Sequence, residues 1–483
     1  AARSVAFDRR SLVSFRTTEL VAWLRTDGLE VRVLDPRGGA ADLPDVRLDA
    51  VVYDHREADD ATLFCAVPGD TTHGRRFVPD ALAAGVRFCL VDGEAPRVDA
   101  DEGIVIEVDD ARRAMAVAAR AWLDARDPVI VGITGSNGKT TTKDFLAAAL
   151  TGDRRAKASP GNRNSRWGMP ATILSFDGDE DVLVLEMGAS GPGEIGRLAA
   201  IARPWMGCVT NVGPAHIEFF GSVDGVAQTK GQLLEALPED GVAVINADDA
   251  YHDSFVRRTG ARNVVRFGVG ADVDVRIERA EETDAGIAVR IGGVDGVLPI
   301  FGTVNASNAA AAMAMAEALG VRREDALARI AKAALSPHRS RRLQVAGRRV
   351  IDDAYNANPA SVRAALNSLA GLRAERRFAV LGEMAELGEN AVALHREVLG
   401  EALEMGIDRV VLLGPTFAEA SAGAEDPRVI RFDASATDDA AALLAEESRA
   451  GDAVLLKASR SAALERVLDA FVARVGGAAE GND

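Results

Sequence analysis

The sequence predicts an α/β protein of three domains, and three observations carry that expectation. A chain of 483 residues exceeds what one hydrophobic core organises, so about three domains are expected. From residue 128 onward, short apolar runs alternate with turns and helical patterns: PVIVGIT into KDFLAAALT, DVLVLEMG into GEIGRLAAIA, GCVTNVG into VAQTKGQLLEAL, then GVAVIN. Continuous apolar strands of this kind belong to a parallel sheet covered on both faces. Near the end a second series begins, with RFAVLGE, RVVLLG and DAVLLKA set between helices.

Taken in order, LDAVVYDHREADDATLFCAVPG followed by FVPDALAAGVRFCLVD reads as two short strands, a helix and another strand, a small α/β domain over residues 1–126. The helical ARRAMAVAARAWLDARDP closes it at a proline. Residues 127–336 form the central parallel-sheet domain, in which VDVRIERAEETDAGIAVRIGGVDGVLPIFG reads as antiparallel strands before an alanine-rich helix to about Ala334. LSPHRSRRLQVAGRRVIDDAYNANPAS, rich in basic and turn residues, reads as a linker into the last domain, 337–483, a second open, Rossmann-like sheet.

Composition narrows the function. A net charge of −17 argues against a general nucleic-acid partner, because phosphate backbones are gripped by clustered Lys and Arg. Cys65, Cys89 and Cys208 are odd in number and far apart, so neither a disulfide framework nor a zinc site is expected. They suit a reducing cytosol as small core residues. With no signal-like stretch and no long uncharged apolar run, the expectation is a cytoplasmic protein without a membrane span, acting as a monomer.

The chemistry begins at VGITGSNGKTTT. A nucleoside-triphosphate loop usually has four residues between its first glycine and the Gly-Lys pair; here Gly135 leaves two and Gly132 five. Context supports a phosphate cradle all the same. A buried strand runs into the turn Gly135-Ser136-Asn137-Gly138, and a helix starts at Lys139, where N–H groups and the helix dipole attract phosphate. Lys139 would meet the terminal phosphates, and Thr140 or Thr141 would supply a magnesium-ligating hydroxyl.

The shortened TGxxGKTT form resembles the Mur ligase superfamily, ATP-dependent amide-forming enzymes that build the peptidoglycan stem peptide. The similarity continues through SPGNRNSRWGMP, LEMGASGPGEIGRLAAIARP, TNVGPAHIEFFGSVDGVAQTKGQLLEAL, GVAVINADD, DDAYNANPAS, AVLGEMAELGE and LLKASRSAALE. EMGASGPGEI, DDAYNANP and GEMAELGE look most like the branch that adds a D-alanyl-D-alanine dipeptide to a UDP-N-acetylmuramoyl-tripeptide. Such a resemblance implies ATP, Mg2+ and an acyl phosphate, because a carboxylate is a poor acyl donor until its oxygen is phosphorylated. It further implies that Glu186 and His216 ligate magnesium, and that Lys230 is carbamylated and helps hold a second ion; Thr140 completes the metal set. Lys139, Glu186, His216 and Lys230 are then the catalytic residues.

Asn305 and Asn308 fall on one helical face, and in the family the matching asparagines approach adenine. Val304 stands where the family usually has histidine. Arg342, with Arg341 as the other register, and Asp353 match residues that contact nucleotide when the last domain closes. The uridine nucleotide is implied to meet Asp54, His55 and Arg56, with His55 replacing the commoner serine. The muramoyl peptide is implied to meet Asn162, Asn164 and Ser165, and the dipeptide Asn356, Asn358, Lys457, Ser459 and Arg460. Alternatives are a ligase of this architecture with another acid or amine, and a noncatalytic nucleotide-binding paralogue.

Overall fold

The computed structural model describes residues 14–69, 72–100, 102–214, 217–423, 425–476 and 480–481. The chain divides into two compact units: one of residues up to 132 with 152–188 and 196–205, the other of 133–151, 189–195 and 206 onward. The strand Val129–Thr134 passes from one to the other.

In the first unit, five strands lie in the order Val31–Leu34, Ile104–Val108, Phe88–Asp92, Thr62–Ala66, Ala50–Val52. Only the Val31–Leu34 edge is antiparallel. TLFCA is wholly buried, as an apolar strand covered on both faces must be. Phe64, Ala66, Val78, Ala81, Cys89, Val91 and Val105 form its core. All three cysteines are free and buried, and burial pushes the Cys89 thiol up to about 12. The helix Ala111–Arg126 begins on Asp110, which accepts the Arg113 N–H, and buries Ala111, Ala114, Met115, Ala118, Ala119, Trp122 and Leu123 at helical spacing. It stops at Asp127 in the left-handed region, just before Pro128. Strands Val182–Glu186 and Ala156–Ala158, paired in parallel, complete this unit.

In the second unit, Met206–Val209, Val242–Asn246 and Asn263–Gly268 are parallel neighbours, followed by the antiparallel meander Val275–Thr283, Gly286–Ile291, Val294–Leu298. The alanine-rich stretch is two helices, Asn305–Ala318 and Arg323–Ile330, parted at Gly320 with φ +89°. Alanine is short on every side, so Asn305–Ala318 is buried almost all round and packs against the helix Lys139–Leu150.

The segment read as a linker is instead structural. Arg341–Val345 and Arg348–Asp353 form a hairpin through Ala346-Gly347, both at positive φ, as a tight two-residue turn requires. Leu343, Val345 and Val350 are buried while the arginines between them lie less covered. That period-two pattern outweighs the basic, turn-rich composition. Arg348–Asp353 then pairs in parallel with Ala453–Lys457 inside a sheet ordered Val429–Phe432, Arg409–Leu413, Arg377–Leu381, Ala453–Lys457, Arg348–Asp353, Arg341–Val345, Glu480–Gly481. Among the described residues no helix is long and apolar enough to cross a membrane.

Candidate active site

The loop Gly135–Gly138 leaves the end of a buried strand and enters the helix Lys139–Leu150, whose N-terminus has Gly138 at φ +79° and no side-chain cap. Both outer glycines are dictated by neighbours. A β-carbon on Gly135 would collide with the Thr210 hydroxyl, and one on Gly138 with Oδ1 of Asn308. The loop is held from outside. Asn211 brackets Asn137, its Oδ1 accepting the Asn137 N–H at 3.0 Å while its Nδ2 donates to the Asn137 carbonyl at 3.0 Å. Thr210 donates to the same carbonyl at 2.6 Å. The Ser136 hydroxyl donates to the Gly213 carbonyl and accepts the Gly213 N–H. Thr210, Asn211 and Gly213 are supports that sequence reasoning missed, although TNVG, at a strand end, was the signal.

Two lysines converge on this loop. Lys139 Nζ donates to the Gly135 carbonyl at 2.8 Å and Lys230 Nζ donates to the same oxygen at 2.9 Å. The apolar pattern of KGQLLEAL taken alone would start a helix at Lys230, but the helix is Val223–Glu235, begun at the Ser222 cap, so Lys230 lies in mid-helix and is buried. Burial first, and then the Lys139 charge, hold the Lys230 amine well below the ordinary lysine value of 10.5. That shift favours the unprotonated amine at this position. Thr140 and Thr141 are both buried at the helix start.

The asparagines face inward. Asn308 Oδ1 accepts the Thr142 hydroxyl at 3.3 Å, Asn308 Nδ2 donates to Asn305 Oδ1 at 2.8 Å, and Asn305 Nδ2 donates to the Phe301 carbonyl at 2.8 Å. Val304 is 53% exposed beside them. Arg342 is turned to the meander, donating to the carbonyls of Thr283 and Asp284 at 2.9 and 3.0 Å. Asp353 accepts Lys457 Nζ at 2.5 Å and the Ser340 N–H at 3.0 Å.

The last-domain residues gather at the carboxyl ends of its parallel strands, where open α/β sheets place ligands. Lys457 also reaches the Asn356 carbonyl at 3.1 Å. Ser459 accepts the Ala385 N–H and donates to the Ala357 carbonyl, tying three strand ends together. Asn358 caps the helix Pro359–Gly371 and donates to Asn137 Oδ1 at 2.7 Å. Asn356 is exposed, and Arg460 pairs with Glu465 at 2.6 Å. His395, unremarked in the sequence, is fully buried; its Nε2 accepts the Met384 N–H at 3.0 Å and its Nδ1 lies 2.7 Å from the Ala391 carbonyl, fixing the GEMAELGE turn.

In the first unit, Glu186 ends its strand buried. Its N–H donates to the Ser159 hydroxyl at 3.0 Å and its Oε1 accepts Asn164 Nδ2 at 2.7 Å. The neighbouring Arg163 pairs with Glu57 at 2.5 Å. Ser165 Oγ accepts the Gly168 N–H, and Asn162 is exposed. Asp54 caps the turn His55–Glu57 and bonds Arg56 at 2.8 Å; that bond pulls the Asp54 carboxyl down to about 2. His55 stacks on Phe77, ring centres 4.5 Å apart. His216 lies outside the described residues. Buried carboxylate and hydroxyl oxygens suit a hard cation such as magnesium, which takes one or two carboxylates together with substrate phosphates. Among the described residues one close carboxylate cluster stands out, Asp177, Asp179 and Glu180; there Glu180 accepts the Asp177 and Gly178 N–H groups of its own turn.

Residues 49–123, 133–316 and 338–460 match the families described as Mur ligase family, catalytic domain; Mur ligase middle domain; and Mur ligase, glutamate ligase domain. The chain is 37% identical over 481 residues to the UDP-N-acetylmuramoyl-tripeptide--D-alanyl-D-alanine ligase of Mycobacterium tuberculosis H37Rv, covering 88% of this chain and 92% of that one. A crystal structure of MurF from Acinetobacter baumannii superposes with TM-score 0.80 at 27% identity, covering 89% of this chain and 95% of that one. MurF from Thermotoga maritima in complex with ADP follows at TM-score 0.77 and 29% identity, covering 88% and 98%.

Proposed function

The chain belongs to the Mur ligase family, among relatives named as MurF, and on that premise we propose that it joins D-alanyl-D-alanine to UDP-N-acetylmuramoyl-tripeptide in peptidoglycan precursor synthesis. It is an ATP-dependent, ADP-forming amide ligase. The observation that carries the reading is the shortened glycine loop at a helix N-terminus, with Lys139 and the buried Lys230 on one loop carbonyl.

The terminal carboxylate of the tripeptide attacks the γ-phosphorus of ATP, breaking its bond to the bridging oxygen and releasing ADP. The dipeptide amine then attacks the acyl carbon, loses a proton, and expels phosphate. Lys139 and the first-turn N–H groups stabilise charge on the transferred group. Lys139 leaves its own loop carbonyls to do so. Magnesium, held by Thr140, Glu186, His216 and carbamylated Lys230, would neutralise phosphate charge. A depressed amine supports the carbamate, since only an unprotonated lysine adds carbon dioxide.

We assign residues 1–126 to the uridine nucleotide, 127–336 to ATP and 337–483 to the amine. His55 presents a ring already stacked on Phe77, with Asp54 and Arg56 beside it. Asn162, Asn164 and Ser165 serve the muramoyl peptide, and Asn164 also orients Glu186. Asn356 and Arg460 reach the dipeptide, while Asn358, Lys457 and Ser459 hold the loops that present it. Asn305, Asn308, Arg342 and Asp353 belong to the nucleotide side, the asparagines by backing the loop. The reaction belongs in the cytoplasm, where ATP is available. The test mixes the protein with ATP, magnesium, the tripeptide nucleotide and the dipeptide; phosphate release that ignores the dipeptide refutes the acceptor, and none at all refutes the ligase.

A further inference from the structure

We infer that the helix Pro359–Gly371 is a lever by which the nucleotide loop governs the last domain, worked through asparagines that act as positioning residues. The inference rests on the nucleotide reading above. Two separate lines leave the loop and end on this one helix, one a polar bond and the other a polar chain that finishes in an apolar cluster. The first is a single bond, Asn358 Nδ2 to Asn137 Oδ1 at 2.7 Å. Its direction is set by the surroundings, because Asn358 Oδ1 already accepts the Ser361 N–H at 2.9 Å as the helix cap, leaving the amide NH2 for Asn137. The Asn137 backbone is in turn clamped, its N–H and carbonyl held by Asn211 and Thr210, which fixes the point from which its amide reaches Asn358.

The second line runs from the other end of the loop. Asn308 packs against Gly138 and takes the Thr142 hydroxyl, then bonds Asn305, which bonds the Phe301 carbonyl. Phe301 is 1% exposed in one apolar cluster with Val362, Leu366 and Leu369 of the same helix, and its N–H donates to the Ser340 carbonyl. The next turn adds the Thr303 N–H on Ser368 Oγ at 3.4 Å. The helix is thus tied to the loop at its cap and, through Phe301, along its flank. Asn358, Asn305 and Asn308 are buried, where a broken amide pair leaves unsatisfied polar groups rather than water-bonded ones. A loop shifted by phosphate must therefore carry the helix with it or break these bonds. The helix cap also ends the DDAYNANP stretch, whose Asp353 and Asn356 meet Lys457, so movement of the helix reaches the edge assigned to the amine.

The experiment uses the full chain and magnesium-ADP as the probe, with hydrogen exchange read over residues 359–371. Asn358→Asp keeps a capping oxygen for Ser361 and has no donor for Asn137, and Asn358→Ser keeps the cap on a shorter side chain that loses the amide reaching Asn137; Ser361→Ala disturbs the cap alone. Expected is that ADP slows exchange of this helix in the parent and in Ser361→Ala. In both Asn358 variants ADP still binds, but the slowing shrinks by about five- to tenfold, the worth of one buried hydrogen bond. In turnover, kcat falls by a similar factor while KM for ATP stays within about twofold. Undiminished slowing in both Asn358 variants overturns the lever, as does a parent that binds ADP without slowing the helix. A parent that binds no ADP overturns the nucleotide reading itself, and the lever with it.

Discussion

Gly138→Ala isolates the contact between the glycine-rich loop and Asn308. Gly138 sits at φ +79°, where an alanine costs about 1–2 kcal/mol. Its new β-carbon would strike Asn308 Oδ1, and Asn308 is not a loose side chain that can step aside. Displacing it forfeits the bond to Asn305 and the one from Thr142, about 1 kcal/mol each, for a total of about 3–4 kcal/mol. Gly152→Ala is the control, since Gly152 has φ +90° with nothing within 4 Å of the added carbon, so it pays only the backbone strain. Hydrogen exchange of the helix Lys139–Leu150, which lies between the two glycines, measures both. The difference of about 2 kcal/mol corresponds to roughly thirtyfold faster exchange in Gly138→Ala than in Gly152→Ala. Equal effects would show that Asn308 yields freely and that the loop is not braced by it.

Other expectations follow from neighbouring contacts. Asn164→Ala removes the amide that orients the Glu186 carboxylate and should lower the apparent affinity for magnesium in turnover by about 10–100-fold, with KM for the dipeptide unchanged; loss of dipeptide binding instead would place Asn164 elsewhere. Stripping carbon dioxide should slow turnover reversibly, and added bicarbonate should restore the parent but leave Lys230→Met inactive. In protein stripped of carbon dioxide, where the amine is unmodified, Lys230 also predicts a pH slope of stability. Its folded pKa is depressed, so between that value and 10.5 the unfolded chain holds the extra proton, and stability rises with pH across this window. Urea unfolding of Lys230→Met should lack that slope and lie above the parent at neutral pH. Burial keeps His395 below its ordinary 6.5; the unfolded ring takes a proton first, so the last domain should lose stability as pH falls below 6.5. His395→Gln, which offers the Met384 N–H an oxygen, should flatten that loss, and an unchanged profile would remove His395 as its source.

Much of this architecture was legible before any coordinates, because burial on two faces demands apolar runs, and such runs are visible one residue at a time. VLVLE and TLFCA are strands in the chain as in the text of the chain. The glycine-rich loop was legible for a related reason: glycines and a lysine at a strand-to-helix junction are a local arrangement. The hairpin Arg341–Asp353 was hidden, since its arginines and turn residues resemble a linker until Leu343, Val345 and Val350 find a sheet to face. Lys230 was misplaced within its helix because Ser222, the residue that starts it, lies eight positions upstream.

Residue types and their order could say that a glycine-rich turn opens a helix at Lys139 and that Asn305 and Asn308 share one helical face, since these follow from spacing. They could not say that Asn308 braces Gly138, that Asn358 reaches Asn137 across more than two hundred positions, or that Arg342 is committed to Thr283 and Asp284. Hydrogen-bond partners distant in sequence leave no periodic trace. An amide has both a donor and an acceptor, and only the folded surroundings decide which of them is already spent.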